Sequence, residues 1–147
     1  MKIPEGYEID EDKSTFVFKK IKKELPKSWE ELEKIKGYYV EKYSKISNTE
    51  ICDCNDGMRN IFKTKEQAEA SIALAQLSQL IDVYRDGWIP DWVLNDTKFI
   101  IYFYRGILSD CTCSHSEHFL SFQNAVIRTL FLENFRDLIE KAKPLIS

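Results

Sequence analysis

The sequence contains little of the material that joins separate domains. Of its 147 residues, five are glycine and four are proline, and no stretch rich in serine, glycine or proline divides the chain. Flexible linkers usually have that composition, and a chain of this length suits one ordinary domain. We therefore predict a single domain over residues 1–147.

A surplus of charge of one sign is also missing. The chain has 21 basic and 24 acidic side chains, so it lacks the basic excess of proteins that coat nucleic acids. The charges are unevenly distributed, with 25 in residues 1–60 and 20 in residues 61–147. We expect a charge-rich N-terminal layer over 1–60 and a core-bearing part over 61–147.

Long hydrophobic runs are absent too. The longest, Phe99–Tyr104, has six residues, whereas a membrane span needs about 20. The opening residues Met1–Glu8 lack the apolar segment of a signal peptide. We therefore expect a cytoplasmic protein with no membrane partner, and its cysteines are expected to be free thiols.

A long helix is predicted in the second part of the chain. Thr64–Gln67 has the pattern of a capping box, and the helix that it opens is expected to run to Asp86, with Gly87 as a left-handed stop. No charged residue occurs from Ser71 to Ile81. A helix that is neutral all round is usually packed on two sides, inside a domain or against a partner chain.

A second long helix is predicted from Asn124 to Lys143. Pro144 is expected to end it, because proline lacks the backbone N–H. Its apolar residues recur at helical spacing, at Ile127, Phe131, Phe135, Leu138 and Ala142. Charged residues occupy the opposite side, so this helix needs an apolar surface to pack against.

The strongest predicted strand is Lys98–Arg105, because both of its faces are apolar. Such a strand is expected at the centre of a sheet or covered on both faces. The sequence also predicts a hairpin of Tyr7–Asp10 with Thr15–Lys19, and two further strands at Tyr38–Tyr43 and Phe119–Phe122. A short helix is predicted at Ser28–Gly37 and a loop at Ser47–Asn60. We predict an α+β fold with a small, mainly antiparallel sheet and the two long amphipathic helices packed on one face.

The cysteines and histidines form two clusters in segments predicted as loops. These are Cys52 with Cys54, and Cys111 with Cys113, His115 and His118. Thiolates and imidazoles suit tetrahedral zinc. Structural zinc sites, however, usually have two or more residues between paired cysteines, and we expect the thiols of each closely spaced pair to diverge. We predict no bound metal and no cofactor.

Aromatic residues offer a second candidate site. Trp88, Trp92, Tyr102 and Tyr104 are the candidate binding residues, since aromatic rings on an open sheet can stack on nucleic-acid bases. The basic stretch Lys19–Lys23 could hold phosphates beside them. The alternative interpretation is that these rings form the core between sheet and helices.

The motifs of enzymes do not occur. The sequence contains no glycine-rich phosphate loop, zinc-protease helix motif or nucleophile elbow. Its histidines lie in one polar segment, without a nucleophile placed nearby by a sharp turn. We therefore predict no catalytic residues and no enzymatic activity.

The order of segments resembles a known group of proteins. Asn60–Ala70 is followed by a leucine-rich helix, a tryptophan-containing connection, the strand at Lys98–Ile101 and a final helix with the pair Phe131 and Phe135. Together with the opening Pro4–Phe16, this layout resembles uncharacterised accessory proteins of phages, prophages and other mobile elements of gut bacteria. The resemblance implies a mobile-element accessory protein and carries no catalytic residues.

Two functions are compatible with these features. We favour a non-catalytic accessory protein of a phage or mobile element that acts by protein–protein interaction or self-association, because of the uncharged segment Ser71–Ile81. The alternative is a single-stranded nucleic-acid-binding protein that uses a surface of tyrosine and lysine residues.

Overall fold

The protein is described by a computed structural model. The structure describes residues 7–9, 18–20, 25, 27–28, 36–49 and 60–147. The chain divides into two compact units, residues 1–33 and 34–147. The organisation of the whole chain as a single domain stays a prediction.

The first unit contains the predicted hairpin. Strand β1 (Tyr7–Ile9) pairs antiparallel with β2 (Phe18–Lys20). In the register of this pairing Glu8 lies directly opposite Lys19. The predicted short helix after Ser28 lies mostly outside the described residues.

The second unit begins with a small sheet. Strand β3 (Tyr38–Val40) lies between β4 (Ile46–Asn48) and β5 (Ile61–Phe62), and both pairings are antiparallel. Gly37 precedes β3, and a Cβ atom there would collide with the carbonyl oxygen of Phe62, so the close approach of β5 requires glycine.

Two predictions in this region are wrong. The strand predicted to reach Tyr43 ends at Val40, because Tyr43 adopts a left-handed conformation with φ of 60° in a 3-10 turn and is fully exposed. The loop predicted from Ser47 begins later, because Ser47 and Asn48 pair with β3.

Helix α1 (Lys65–Arg85) confirms the first predicted helix. The Thr64 side chain accepts a hydrogen bond from the Gln67 amide at 3.1 Å, and the Gln67 side chain accepts one from the Thr64 amide at 3.4 Å. This is the predicted capping box. At the other end the left-handed conformation begins one residue before Gly87, at Asp86, with φ of 46°.

The predicted central strand is confirmed as β6 (Lys98–Tyr104). It lies between β7 (Ile107–Cys113) and β8 (Ser121–Phe122) in an antiparallel sheet. The prediction of a loop after β6 is wrong, because Arg105 and Gly106 turn the chain straight back. Their φ angles of 48° and 80° are those of a two-residue type I′ turn, which matches the twist of the flanking strands.

Helix α2 (Ala125–Ile146) confirms the second predicted helix, and Asn124 caps it by accepting a hydrogen bond from the Ile127 amide at 2.9 Å. The prediction that Pro144 ends the helix is wrong, since the helix continues to Ile146. A proline in the last turn removes one backbone hydrogen bond only. Just beyond the helix, the Ser147 amide still donates to the Lys143 carbonyl oxygen at 3.0 Å.

One core joins the two helices to the β7–β6–β8 sheet. The rings of Tyr84 on α1 and Phe131 on α2 meet edge to face at 5.0 Å. The buried core residues are Ala73, Leu77, Ile81, Ile101, Leu120, Phe122, Phe131, Leu132, Ile139 and Ala142. The predicted α+β class is confirmed, with the helices packed on each other and on antiparallel strands.

The neutral middle of α1 has two neighbours within the same unit. The helix contacts α2 along one side and the strands β3, β4 and β5 along another. The helix as a whole therefore has neighbours of both kinds inside the unit, although Ala75, Gln76, Ser78 and Gln79 in its neutral middle are exposed.

Candidate functional site

The sheet β7–β6–β8 has two different faces. Ile101 and Phe103 belong to the helix side, since both pack in the core. Because side chains alternate along a strand, the neighbouring residues of β6 and their partners on β7 lie on the opposite side. We call this side the outer face; it consists of Lys98, Ile100, Tyr102, Tyr104, Ile107, Ser109, Cys111 and Cys113.

The outer face is covered at one end. Lys98 and Ile100 are each 2% exposed. The Lys98 ammonium donates a hydrogen bond to the Leu94 carbonyl oxygen at 2.8 Å and lies 5.4 Å from the centre of the Trp92 ring. Trp92, a candidate binding residue, is thus half-buried beside a cation of its own chain. Trp88, another candidate, lies 5.9 Å from the Arg85 guanidinium.

The outer face is open at the other end. Tyr104 is 55% exposed and Ile107, its direct partner on β7, is 69% exposed. The Arg105 guanidinium lies 5.3 Å from the Tyr104 ring. Tyr102 shares this face but is half-buried. The sheet therefore brings the two candidate tyrosines together, and Tyr104 is the more accessible of them.

The cysteines of the second cluster lie on β7 rather than in a loop. Cys111 and Cys113 both point to the outer face, because residues two apart on a strand share a side. The expectation that their thiols diverge is wrong for that reason. His118 lies near Tyr102, with 6.1 Å between the ring centres.

Cys113 has the more polar surroundings. Backbone N–H groups of His115 and Ser116 lower the pKa of its thiol, with a smaller contribution from the charge of Lys98. The Ser116 nitrogen lies 3.3 Å from the sulfur. Burial raises the pKa of Tyr102, and the neighbouring Cys111 raises it further. These contacts stabilise the thiolate form of Cys113 relative to its thiol form.

A metal site does not form in the described part of the chain. No group of three or more His, Cys, Asp or Glu side chains could hold a metal ion there. Cys52 and Cys54 lie outside the described residues. The absence of a bound metal therefore stays a prediction.

A depression lies beside the β4–β3–β5 sheet. It measures about 560 Å³, and Tyr38, Lys45 and Lys65 contribute to its lining. Its polar groups bond to one another: the Tyr39 hydroxyl donates to Glu41 at 3.3 Å, and burial raises the pKa of Tyr39. A hydrogen bond from Ser47 lowers the pKa of Glu41. Tyr39, Glu41 and Ser47 in this lining are therefore hydrogen-bonded within the chain.

The β8 edge of the larger sheet is covered by one side chain. Arg85, in the last turn of α1, donates from Nε to the Ser121 carbonyl oxygen at 3.0 Å and from Nη2 to the Phe119 carbonyl oxygen at 2.9 Å. Nη2 also donates to the Ser121 hydroxyl at 2.8 Å. The backbone oxygens that face away from β6 on this side are therefore occupied.

The β7 edge differs. The Ile101 amide donates to the Leu120 carbonyl oxygen at 2.9 Å, so the backbone groups of Ile101 face the β8 side. Backbone groups alternate in direction along an antiparallel strand, and those of Ile100 and Tyr102 consequently face β7. The backbone groups of their partners on β7, Cys111 and Ser109, therefore face β6.

The backbone groups between those partners must face outward. They belong to Leu108, Asp110 and Thr112, and among the described strands none pairs with β7 on that side. We call these backbone groups the open edge. Charged side chains, proline and bulges commonly protect edge strands. β7 contains no proline, its one charged residue is Asp110, and it pairs with β6 without interruption over seven positions.

The charge of the open edge is balanced locally. Asp110 carries the single charge on β7, and its carboxylate forms an ion pair with the Arg128 guanidinium of α2 at 2.8 Å. Arg128 also donates to the Cys111 carbonyl oxygen at 3.4 Å, and its guanidinium lies 5.9 Å from the Phe99 ring. The edge is thus nearly neutral.

Reasoning from sequence missed the open edge. The available signal was the pair Arg105 and Gly106 at the end of the strong strand. A glycine directly after a strong strand predicts a hairpin. The frequent Asn-Gly or Asp-Gly pair does not occur at this position, so the sequence signal for a two-residue turn is weak.

The chain matches no protein-family model, no curated protein and no solved structure. In the described part of the chain, no helix has both the length and the apolar character to cross a membrane.

Proposed function

We propose that the protein is a non-catalytic accessory protein that acts by protein–protein contact through the open edge of β7. The observation that carries the proposal is the outward direction of the backbone groups of Leu108, Asp110 and Thr112, at a sheet edge with which no other described strand pairs. An extended segment of a partner can add to such an edge by backbone hydrogen bonds.

Side chains at the hairpin end support the same surface. Tyr104 and Ile107 are exposed next to each other on the outer face. An exposed aromatic ring beside an aliphatic side chain is typical of residues that anchor protein interfaces. The partner would gain backbone bonds along the edge and apolar contact at its end.

The structure changes the reason for proposing a protein partner. Helix α1 packs on α2 and on strands β3, β4 and β5, while Ala75, Gln76, Ser78 and Gln79 of its neutral segment stay exposed. Internal packing thus accounts for part of the neutral segment, and the proposal depends on β7 instead.

The origin and location belong to the proposal as well. We propose a phage or mobile-element protein of gut bacteria that works in the cytoplasm. Its support is the resemblance in the layout of the segments after Asn60.

A second candidate function is binding of single-stranded nucleic acid. Tyr104 favours it, because its ring is exposed and has the Arg105 guanidinium beside it. The two tryptophans contribute less, since each already lies beside a cation of the chain.

Site-specific photocrosslinking in cells that produce the protein tests the favoured function. A photoreactive amino acid at Ile107 is expected to give covalent adducts with protein. The matched control is Val83, which is 73% exposed on α1. Equal labelling at both positions, or none at Ile107, would contradict a contact surface on β7.

A further inference from the structure

We propose that the open edge of β7 pairs with the same edge of a second copy of this chain, antiparallel about a twofold axis at Asp110. This inference rests on the proposed function and names its partner. Two identical strands that run in opposite directions form a closed, symmetric contact, as in most homodimers.

The direction of the backbone groups sets the register. The outward groups belong to Leu108, Asp110 and Thr112, which are symmetric about the middle residue. Antiparallel pairing at that centre places Asp110 opposite Asp110 and Leu108 opposite Thr112 of the second copy. Every outward N–H then meets a carbonyl oxygen, which gives about six backbone hydrogen bonds across the axis.

Charge favours a nearly neutral partner strand, which a second copy supplies. β7 has one charged side chain, and Arg128 already neutralises it at 2.8 Å. A partner strand rich in charge of either sign would lose hydration without gaining a counter-ion. β7 itself meets the requirement for a nearly neutral strand, and its two Asp110–Arg128 pairs would lie side by side.

The side chains on the outer face fit this arrangement. A twofold axis perpendicular to the sheet keeps both outer faces on one side, so the three-stranded sheets would join into one. Ile107, exposed in the single copy, would lie opposite Cys113 of the second copy. The turn end of one β6–β7 hairpin, where Ile107 lies, would thus approach the covered end of the outer face of the second copy, where Cys113 lies.

Proline substitution tests the pairing without breaking the β6–β7 ladder. Since the Asp110 amide faces outward, Asp110→Pro removes a backbone N–H that would donate to the second copy. It removes no N–H that donates to β6. Asp110→Ala is the matched control, because both variants lose the carboxylate and the contact to Arg128. Thr112→Pro with Thr112→Ala repeats the comparison at another outward amide.

Sedimentation velocity over a range of protein concentrations gives the readout, with circular dichroism to confirm folding. We expect a concentration-dependent dimer for the wild type and Asp110→Ala, and dimerisation weaker by about tenfold or more for Asp110→Pro. A wild type that stays monomeric, or folded proline variants that dimerise like their alanine controls, would overturn the second-copy pairing. Adducts at Ile107 with a different protein would still support the proposed function, so the two can fail separately.

Discussion

The two edges of the larger sheet differ in the partners of their outward backbone groups. On the β8 side, the guanidinium of Arg85 occupies the outward carbonyl oxygens of Phe119 and Ser121. On the β7 side, the outward groups at Leu108, Asp110 and Thr112 have no neighbouring strand among the described residues. A short edge with one covering side chain thus lies opposite a longer edge of seven residues.

The difference separates stability from interaction. Arg85 fixes the edge that leads into the buried residues Ser121 and Phe122, where an unpaired backbone oxygen would be costly. On the β7 side no described strand pairs with the outward groups, and backbone groups that contact water cost little until a partner replaces the water. One edge of the sheet therefore contributes to folding, and the other is the edge proposed for association.

The largest expected effect is the loss of the covered edge. Arg85→Ala removes three hydrogen bonds and leaves the buried Ser121 hydroxyl without its donor. We expect the free energy of unfolding to fall by about 2–4 kcal/mol. Urea denaturation measures it. Arg105→Ala, at the exposed turn, is the control and should change stability by less than about 0.5 kcal/mol; equal effects would contradict the role of Arg85.

A smaller effect is expected at the β7 side. Arg128→Ala removes the contacts to Asp110 and Cys111, and we expect a loss of about 1–2 kcal/mol because the Asp110 side chain is partly solvated. Asp110→Asn keeps the Arg128 packing on Phe99 and should cost less. Urea denaturation of both variants shows which one loses more free energy of unfolding. A larger loss for Asp110→Asn than for Arg128→Ala would refute this prediction.

A chemical effect is expected at the other end of β7. Folding lowers the pKa of Cys113 through the amides of His115 and Ser116, so more thiolate is present at a given pH. Alkylation of Cys113, followed by mass spectrometry of its peptide, should therefore have its midpoint at lower pH in the folded chain than in urea. Lys98→Met should raise that midpoint only slightly, since the amides contribute most; an identical midpoint in both states would count against this environment.

The smallest effect is expected from nucleic acid. If β7 binds protein, labelled single-stranded oligonucleotides should not bind measurably at low or moderate salt. Binding that falls steeply with salt, and that Tyr104→Ala and Arg105→Ala weaken, would instead support the second candidate function. Fluorescence anisotropy at two salt concentrations is sufficient.

The sequence predicted the elements with strong local signals. The capping box at Thr64, the repeat of apolar residues in α2 and the two apolar faces of β6 each depend on residues a few positions apart. These patterns act through local geometry, so the α+β class followed from them. The hairpin turn at Arg105 also has a local signal, but a weaker one.

The two edges could not be predicted in the same way. The cover of β8 comes from Arg85, which is 36 positions before Ser121, and nothing near either residue indicates the contact. The neutral state of β7 likewise depends on Arg128 in a different element. The candidate binding residues Trp88 and Trp92 differ from these cases, because the cations beside them, Arg85 and Lys98, are only three and six positions away in the sequence.

Hydrogen exchange along β7 tests the open edge most directly. At low protein concentration the amides of Leu108, Asp110 and Thr112 should exchange at least about tenfold faster than those of Ser109 and Cys111, which bond to β6. At high concentration the fast amides should become protected as the second copy pairs. Equal protection of all five amides at the lowest concentration would show that the edge is already covered, and would contradict the account.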